Sequence, residues 1–122
     1  MKHLLLTTIA AVVLVECGPS VDIWEAAMEG NIEVVKQHLA AGTDVDERGG
    51  IANTTPLLEA ARGGGHKEIV ELLIANGADV NVRGFLGMTP LNMADDEGEK
   101  EIADLLRKHG GKTGEELKAE GK

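Results

Sequence analysis

The chain has 122 residues, and 12 Lys or Arg against 21 Asp or Glu give it a formal net charge of −9. This length accommodates one small domain. The acidic balance argues against sequence-independent binding to DNA, RNA or an anionic membrane, because those surfaces attract clustered Lys and Arg. A single Cys excludes an intramolecular disulfide framework and a cysteine-rich zinc site. With only 2% aromatic residues, the core has to be built from aliphatic side chains and Ala.

Residues 1–17 are predicted to be an export signal rather than part of the fold. The uncharged run Leu4–Val15 is too short for a membrane span of about 20 residues but fits the apolar region of a signal peptide. The Leu-Val-Glu-Cys run that ends at Cys17 resembles the lipobox of bacterial lipoproteins, in which the Cys is lipidated. Glu16 departs from that pattern, which has a small residue before the Cys. Lipidation of Cys17, a retained anchor and cleavage nearby stay open as alternatives.

The rest of the chain consists of three similar units. A Gly recurs near the end of each unit at intervals of 35 and 33 residues, and a Thr-Pro-Leu run opens two units 34 residues apart. These positions are Gly42, Gly77 and Gly110, and Thr55–Leu57 and Thr89–Leu91. A period near 33 is typical of solenoids built from stacked helical units. The chain resembles the ankyrin-repeat family over about Asp22 to Gly111, most closely from Thr55 to Asn81.

The resemblance implies an all-α fold, an ankyrin-repeat solenoid of about three stacked helix-turn-helix units with projecting hairpin-like loops. The repeats span about residues 22–48, 49–83 and 84–113. A short linker over 18–21 precedes them, and a capping tail over 114–122 follows. Thr113 and Glu116 have the spacing of a capping box, which predicts a short final helix there.

Local sequence signals agree with these units. Thr55 and Thr89 are suited to cap a helix, and the Pro that follows each is tolerated in the first turn. Ile69, Leu72 and Leu73 share the i, i+3, i+4 spacing of one buried helical face.

The ends of the stack and two positions inside it are less regular. Trp24 is expected to seal the N-terminal end, while His38 and His109 are expected to be exposed. The family has a His after its Pro-Leu that bridges neighbouring loops, whereas this chain has Leu58 and Asn92 at those positions. These departures predict a domain of modest stability.

Neither an enzyme, a metal site nor a cofactor is predicted. No pair of His residues has the i, i+3 or i, i+4 spacing of a helical metal site. The acidic run Asp95–Glu99 lacks the loop and terminal Glu of a calcium site, and the Gly-rich run before His66 lacks the context of a phosphate-binding loop. Nothing in the sequence pairs a nucleophile with a base.

In the family, partners contact the loop tips, here called fingers, and the exposed side of each first helix. Within the second finger, Phe85, Leu86 and Met88 bracket Gly87, and an exposed apolar cluster of this kind marks an interaction site. The alternative is that these side chains fold back onto their own or the next loop. The residues assigned to the protein-binding surface are Arg48, Ile51, Asn53, Glu59, Arg62, Arg83, Phe85, Leu86, Met88 and Met93.

Arg48 and Arg83 occupy equivalent positions in the two fingers. They are suited to bind carboxylates on a partner, and the alternative is that they only make the fingers soluble.

The function expected from these features is non-enzymatic protein binding through a concave surface in the bacterial envelope. The protein is expected to be exported, either to the periplasm, to a membrane through Cys17, or out of the cell. We expect a monomer that binds a protein, not nucleic acid. Two alternatives stay open: a self-associating envelope scaffold, and a secreted effector that acts on a host or competitor protein.

Thermal stability tests the expectation for a short stack. Three units are near the minimum at which repeats bury enough apolar surface, so the domain should fold but melt well below about 90 °C, the range of hyperstable proteins. A thermal melt followed by circular dichroism measures this. A midpoint above that range contradicts the prediction.

Overall fold

The structure is a computed structural model that describes residues 21–50 and 52–122. The predicted export signal, Cys17 and Ile51 lie outside the described residues. The described chain forms seven α-helices and one 3-10 turn. They are α1 Ile23–Glu29, α2 Ile32–Ala40, α3 Pro56–Arg62, α4 Lys67–Ala75, the 3-10 turn Phe85–Gly87, α5 Pro90–Asp96, α6 Lys100–Lys108 and α7 Gly114–Ala119. The predicted all-α solenoid is confirmed.

The helices form two layers. The first helix of each unit (α1, α3 and α5) packs against the first helix of the next, and the second helices (α2, α4 and α6) form the outer layer. The close approach depends on small side chains, since a larger residue at these positions would hold the helix axes apart. The Ala residues at this contact are fully buried, and they are Ala26, Ala27, Ala60, Ala61 and Ala94.

Aliphatic side chains complete the core between the layers. Ile69 and Leu73 on α4 are at most 2% exposed, as the helical spacing predicts, while Leu72 is half-buried. Ile102 and Leu106 on α6 repeat this arrangement in the next unit. One apolar stripe on each second helix therefore holds the outer layer on the inner one.

Side-chain caps fix where the helices begin. The Thr55 hydroxyl accepts a hydrogen bond from the Leu58 N–H at 3.3 Å, and Pro56 occupies the first turn of α3. Thr89 caps α5 in the same way, with Asn92 completing a capping box. Gly77 and Gly110, which follow the second helices, have φ of +89° and +86°. This left-handed conformation suits Gly because it has no Cβ.

Two fingers project from the layers. Gly49 and Thr54 close the first finger by exchanging backbone hydrogen bonds of 3.0 and 2.9 Å, which is an isolated antiparallel bridge. The second finger closes with the Gly84 N–H donating to the Met88 carbonyl at 2.8 Å around the 3-10 turn. The predicted hairpin-like loops are therefore present.

A final helix, α7, covers the C-terminal end. Its capping box is the predicted one: the Glu116 N–H donates to the Thr113 hydroxyl at 3.1 Å, and the Thr113 N–H donates to the Glu116 carboxylate at 3.0 Å. The second bond holds the pKa of the Glu116 carboxyl below its usual range. Leu117 is only 5% exposed, so α7 contributes an apolar contact to the stack.

Substitution of Leu117 tests whether α7 is an integral part of the fold. Leu117→Ala should lower the free energy of unfolding by about 2 kcal/mol, because it removes buried methyl groups and leaves a cavity. Urea denaturation measures the change, with Lys118→Ala as the control because Lys118 is exposed on the same helix. Equal stabilities of the two variants would show that α7 only rests on the surface.

Candidate protein-binding surface

Three large apolar side chains stand out as exposed among the described residues. Phe85 is 73% exposed, Leu86 82% and Met28 36%. Phe85 and Leu86 lie in the second finger and Met28 lies on the first helix α1, so all three belong to the side formed by the fingers and the first helices. None lies on the second helices. Exposed apolar side chains gathered on one side are typical of an interaction surface.

The second finger holds its apolar tip away from the core. Leu86 has φ of +58°, a left-handed conformation that disfavours residues with a Cβ by about 1–2 kcal/mol. Phe85 and Leu86 do not fold back, whereas Met88 is half-buried. Strained backbone that exposes an apolar side chain gives no stability to the fold, and such strain is typical of functional sites.

The first finger packs on Trp24 of α1. The indole Nε1–H donates a hydrogen bond to the Glu47 carbonyl at 2.8 Å. The ring lies against Gly49, where an added Cβ would be 2.3 Å from two ring atoms. Trp24 was expected to seal the N-terminal end, but the structure places it between α1 and the first finger. It packs there because the Gly49–Gly50 backbone leaves room for a ring.

Arg62 lies beside Met28 in the same region. Its guanidinium donates to the Glu59 carboxylate at 2.7 Å and to the Met28 sulfur at 3.3 Å. Glu59 differs from the expectation of an exposed contact residue, because its side chain is only 7% exposed. The close packing of α1 on α3 covers it, and Arg62 balances its charge. Arg62 itself is exposed and available for contact.

Trp24, Met28 and the first finger enclose a shallow depression of about 380 Å³. Gly50 and Ala52 of the finger and Arg62 of α3 also line it. Met93 of α5 does not line it and is half-buried against the core.

The two finger arginines connect consecutive loops. Arg48 donates to the Arg83 carbonyl at 2.6 Å, and Arg83 donates to the Lys122 carbonyl at 2.6 Å. Arg48 also donates to the carbonyl of Asn53, an exposed residue with φ of +49°. Part of the hydrogen-bonding capacity of each guanidinium therefore serves the structure of the fingers, a role that the sequence interpretation did not include.

No metal-binding group of His, Cys, Asp or Glu occurs among residues 21–50 and 52–122. Within the same residues, no helix combines the length and apolar character that crossing a membrane requires. The other main depression, of about 440 Å³, is lined chiefly by charged residues of α6 and the turn before it.

Comparison with known proteins agrees with this architecture. Residues 23–116 match the family model for ankyrin repeats in three copies. The chain belongs to the ankyrin-repeat family. Ankyrin repeats are protein–protein interaction modules, and the family is typically non-enzymatic.

Relatives that carry ankyrin repeats occur in bacteria and in a yeast. The chain is 36% identical over 85 residues to an ankyrin repeat-containing protein of Treponema pallidum, a match that covers 70% of this chain and 28% of the relative. The ankyrin repeat protein YahD of Escherichia coli is 37% identical over 91 residues, covering 70% of this chain and 45% of the relative. An ankyrin repeat-containing protein of Schizosaccharomyces pombe is 35% identical over 96 residues, covering 75% of this chain and 42% of the relative. The chain thus spans less than half the length of each of these relatives.

The ankyrin loops are bridged here without the family His. Leu58 is buried instead, and Asn92 accepts hydrogen bonds from the Thr89 N–H and the Gly114 N–H, both at 2.9 Å. Asp46 accepts from the Asp79 N–H at 3.0 Å, one unit further along the chain. Carboxylate and amide side chains therefore supply the bridging that the His would supply.

Two of the His residues in the ankyrin stack, His66 and His38, contact backbone carbonyls. The His66 Nε2 lies 2.9 Å from the Met28 carbonyl oxygen and connects two units. His38 was expected to be exposed but is half-buried, with its Nε2 3.0 Å from the Val21 carbonyl oxygen. His109 is exposed, as predicted.

The position of Trp24 is testable because it is the only Trp of the chain. Gly49→Ala should displace the indole, since the new Cβ would collide with the ring, and the fluorescence maximum should shift to longer wavelength as water reaches it. Glu47→Ala is the control, because its backbone carbonyl, not its side chain, accepts the Trp24 hydrogen bond. An unchanged emission spectrum of Gly49→Ala would contradict this packing.

Proposed function

We propose that this ankyrin-repeat chain binds a protein partner through the fingers and the first helices, in the bacterial envelope. The observation that carries the proposal is the tip of the second finger, where Phe85 and Leu86 are exposed on a strained backbone turn. Such side chains bury apolar area when a partner covers them, and aromatic anchors of this kind dominate many interfaces.

A rigid support makes these contacts effective. The second finger is closed by its own backbone hydrogen bond between Gly84 and Met88. Arg48 of the first finger also donates a hydrogen bond to the Arg83 carbonyl of the second. A partner therefore meets side chains that are already positioned, and it loses less conformational entropy on binding. The proposed binding therefore uses a fixed surface rather than a pocket that closes.

The envelope location is supported by the N-terminal sequence. The apolar run Leu4–Val15 and the lipobox-like Cys17 favour export from the cytoplasm and attachment to a membrane on its non-cytoplasmic side.

Globomycin treatment, which blocks lipoprotein signal peptidase, tests attachment through Cys17. An unprocessed precursor should accumulate in treated cells, and Cys17→Ser should abolish labelling with radioactive palmitate.

The finger tip can be tested by capture of a partner from cross-linked cell envelopes. Phe85→Ser with Leu86→Ser should reduce recovery of the partner at least about tenfold, since interface anchors commonly contribute more than 1 kcal/mol each. Lys36→Ser with Glu71→Ser is the matched control. Both residues are exposed on the second helices, and the pair leaves the net charge unchanged.

Equal recovery by the finger variant and the control would remove this surface from the proposal.

Leu86→Gly separates an effect on binding from an effect on folding. It should raise the free energy of unfolding by about 1 kcal/mol, because Gly relieves the left-handed strain, and it should still weaken capture. Analytical ultracentrifugation of the same proteins distinguishes partner binding from a scaffold, since self-association predicts a dimer at micromolar concentration.

A further inference from the structure

The net charge differs between the two helical layers. The first helices and the turns that follow them, residues 22–30, 56–62 and 90–99, contain eight Asp or Glu and one Arg. The second helices, residues 32–40, 67–75 and 100–108, contain five Asp or Glu and five Lys or Arg. Seven of the nine net negative charges therefore belong to the layer that carries the depression, and the outer layer is neutral.

The one cation of that inner layer is already neutralised. Arg62 pairs with Glu59 at 2.7 Å, so the two make no net contribution at the depression. Asp22 and Glu25, here called the rim carboxylates, also line the depression, and both are exposed. Among the described residues, no Lys, Arg or His forms an ion pair with either carboxylate. The rim of the depression is therefore electrically negative.

Part of the lining of the depression is apolar and held in place. Trp24 contributes its ring, Met28 its thioether, and Gly50 and Ala52 the finger side. The indole cannot turn freely, because its N–H is bound to Glu47 and the Gly49 backbone lies against the ring. A preorganised indole beside carboxylates is a favourable place for a cation, since the ring face attracts positive charge and the carboxylates balance it.

We propose that the depression between Trp24, Met28 and the first finger binds a Lys- or Arg-bearing segment of the protein partner. The cationic side chain lies over the Trp24 ring near Asp22 and Glu25, and a neighbouring apolar side chain contacts Met28. This proposal rests on the proposed function and adds the chemistry of the partner. Nucleic acid and anionic lipid do not fit, because the same carboxylates repel phosphate.

Trp24 fluorescence reports occupancy directly in the full-length chain. The probe is a short capped peptide of Arg and Leu in a Gly-Ser background, compared with peptides that have Gln or Glu in place of Arg. The Arg peptide should change the emission of Trp24 at the lowest concentration, and added salt should weaken it because the carboxylates are exposed. The Glu peptide should have no effect.

Matched variants test whether Asp22 and Glu25 cause the preference for the Arg peptide. Asp22→Asn with Glu25→Gln should weaken binding of the Arg peptide about fivefold, a typical size for two exposed charge interactions. Asp22 caps α1 by accepting a hydrogen bond from the Glu25 N–H at 2.7 Å, and Asn caps a helix as well, so α1 should remain intact. Glu68→Gln with Glu71→Gln removes the same charge from the exposed side of α4 and should change the affinity little.

Each outcome decides the proposal. A preference for the Arg peptide that falls only in the rim variant supports it. Equal binding of the Arg, Gln and Glu peptides, no binding of any peptide, or equal losses in the rim and α4 variants would overturn it. Partner capture that depends on Phe85 and Leu86 but not on the rim would reject the cationic segment while leaving the proposed function standing. Capture that is indifferent to the finger would reject the proposed function itself.

Discussion

The close contact between the first helices is the constraint on which the rest of the structure depends. Ala26, Ala60 and Ala94 are fully buried where α1, α3 and α5 meet. At this distance the Gly63 backbone approaches the Met28 carbonyl so closely that an added Cβ would lie 2.2 Å from it. Side chains with more atoms would separate the units, and no single unit buries enough apolar surface to fold alone.

That contact also determines what the inner side can display. Because the helices are close, Glu59 is covered and needs Arg62 as its counter-charge. The fingers approach each other as well, so that Arg48 reaches the Arg83 carbonyl and Asp46 reaches the Asp79 N–H. Polar side chains such as Arg48 and Asp46, for which the sequence alone suggests no partner, therefore form hydrogen bonds between units. The side chains left exposed are mainly apolar or acidic.

The proposed binding surface combines two kinds of recognition. The second finger offers apolar anchors whose burial would supply affinity, while the negative inner layer would guide a cationic partner and exclude anionic ones. The strain at Leu86 is consistent with a finger selected for contact rather than for stability. With such a division, an ankyrin stack of three units would gain specificity from charge as well as from apolar contact.

The sequence by itself determined the repeat and the helix caps, and it located an apolar finger without deciding whether its side chains are exposed. The period, the Thr-Pro starts and the Gly ends are local signals, whereas the exposure of Phe85 and Leu86 depends on the backbone turn that carries them. Only the tertiary structure decided the positions of Trp24, Glu59 and Arg48. Each of these depends on a residue far along the chain: Glu47 and Gly49 hold the indole, α1 covers Glu59, and the Arg83 carbonyl accepts from Arg48. Such contacts arise when units stack, and a pattern within one unit does not contain them.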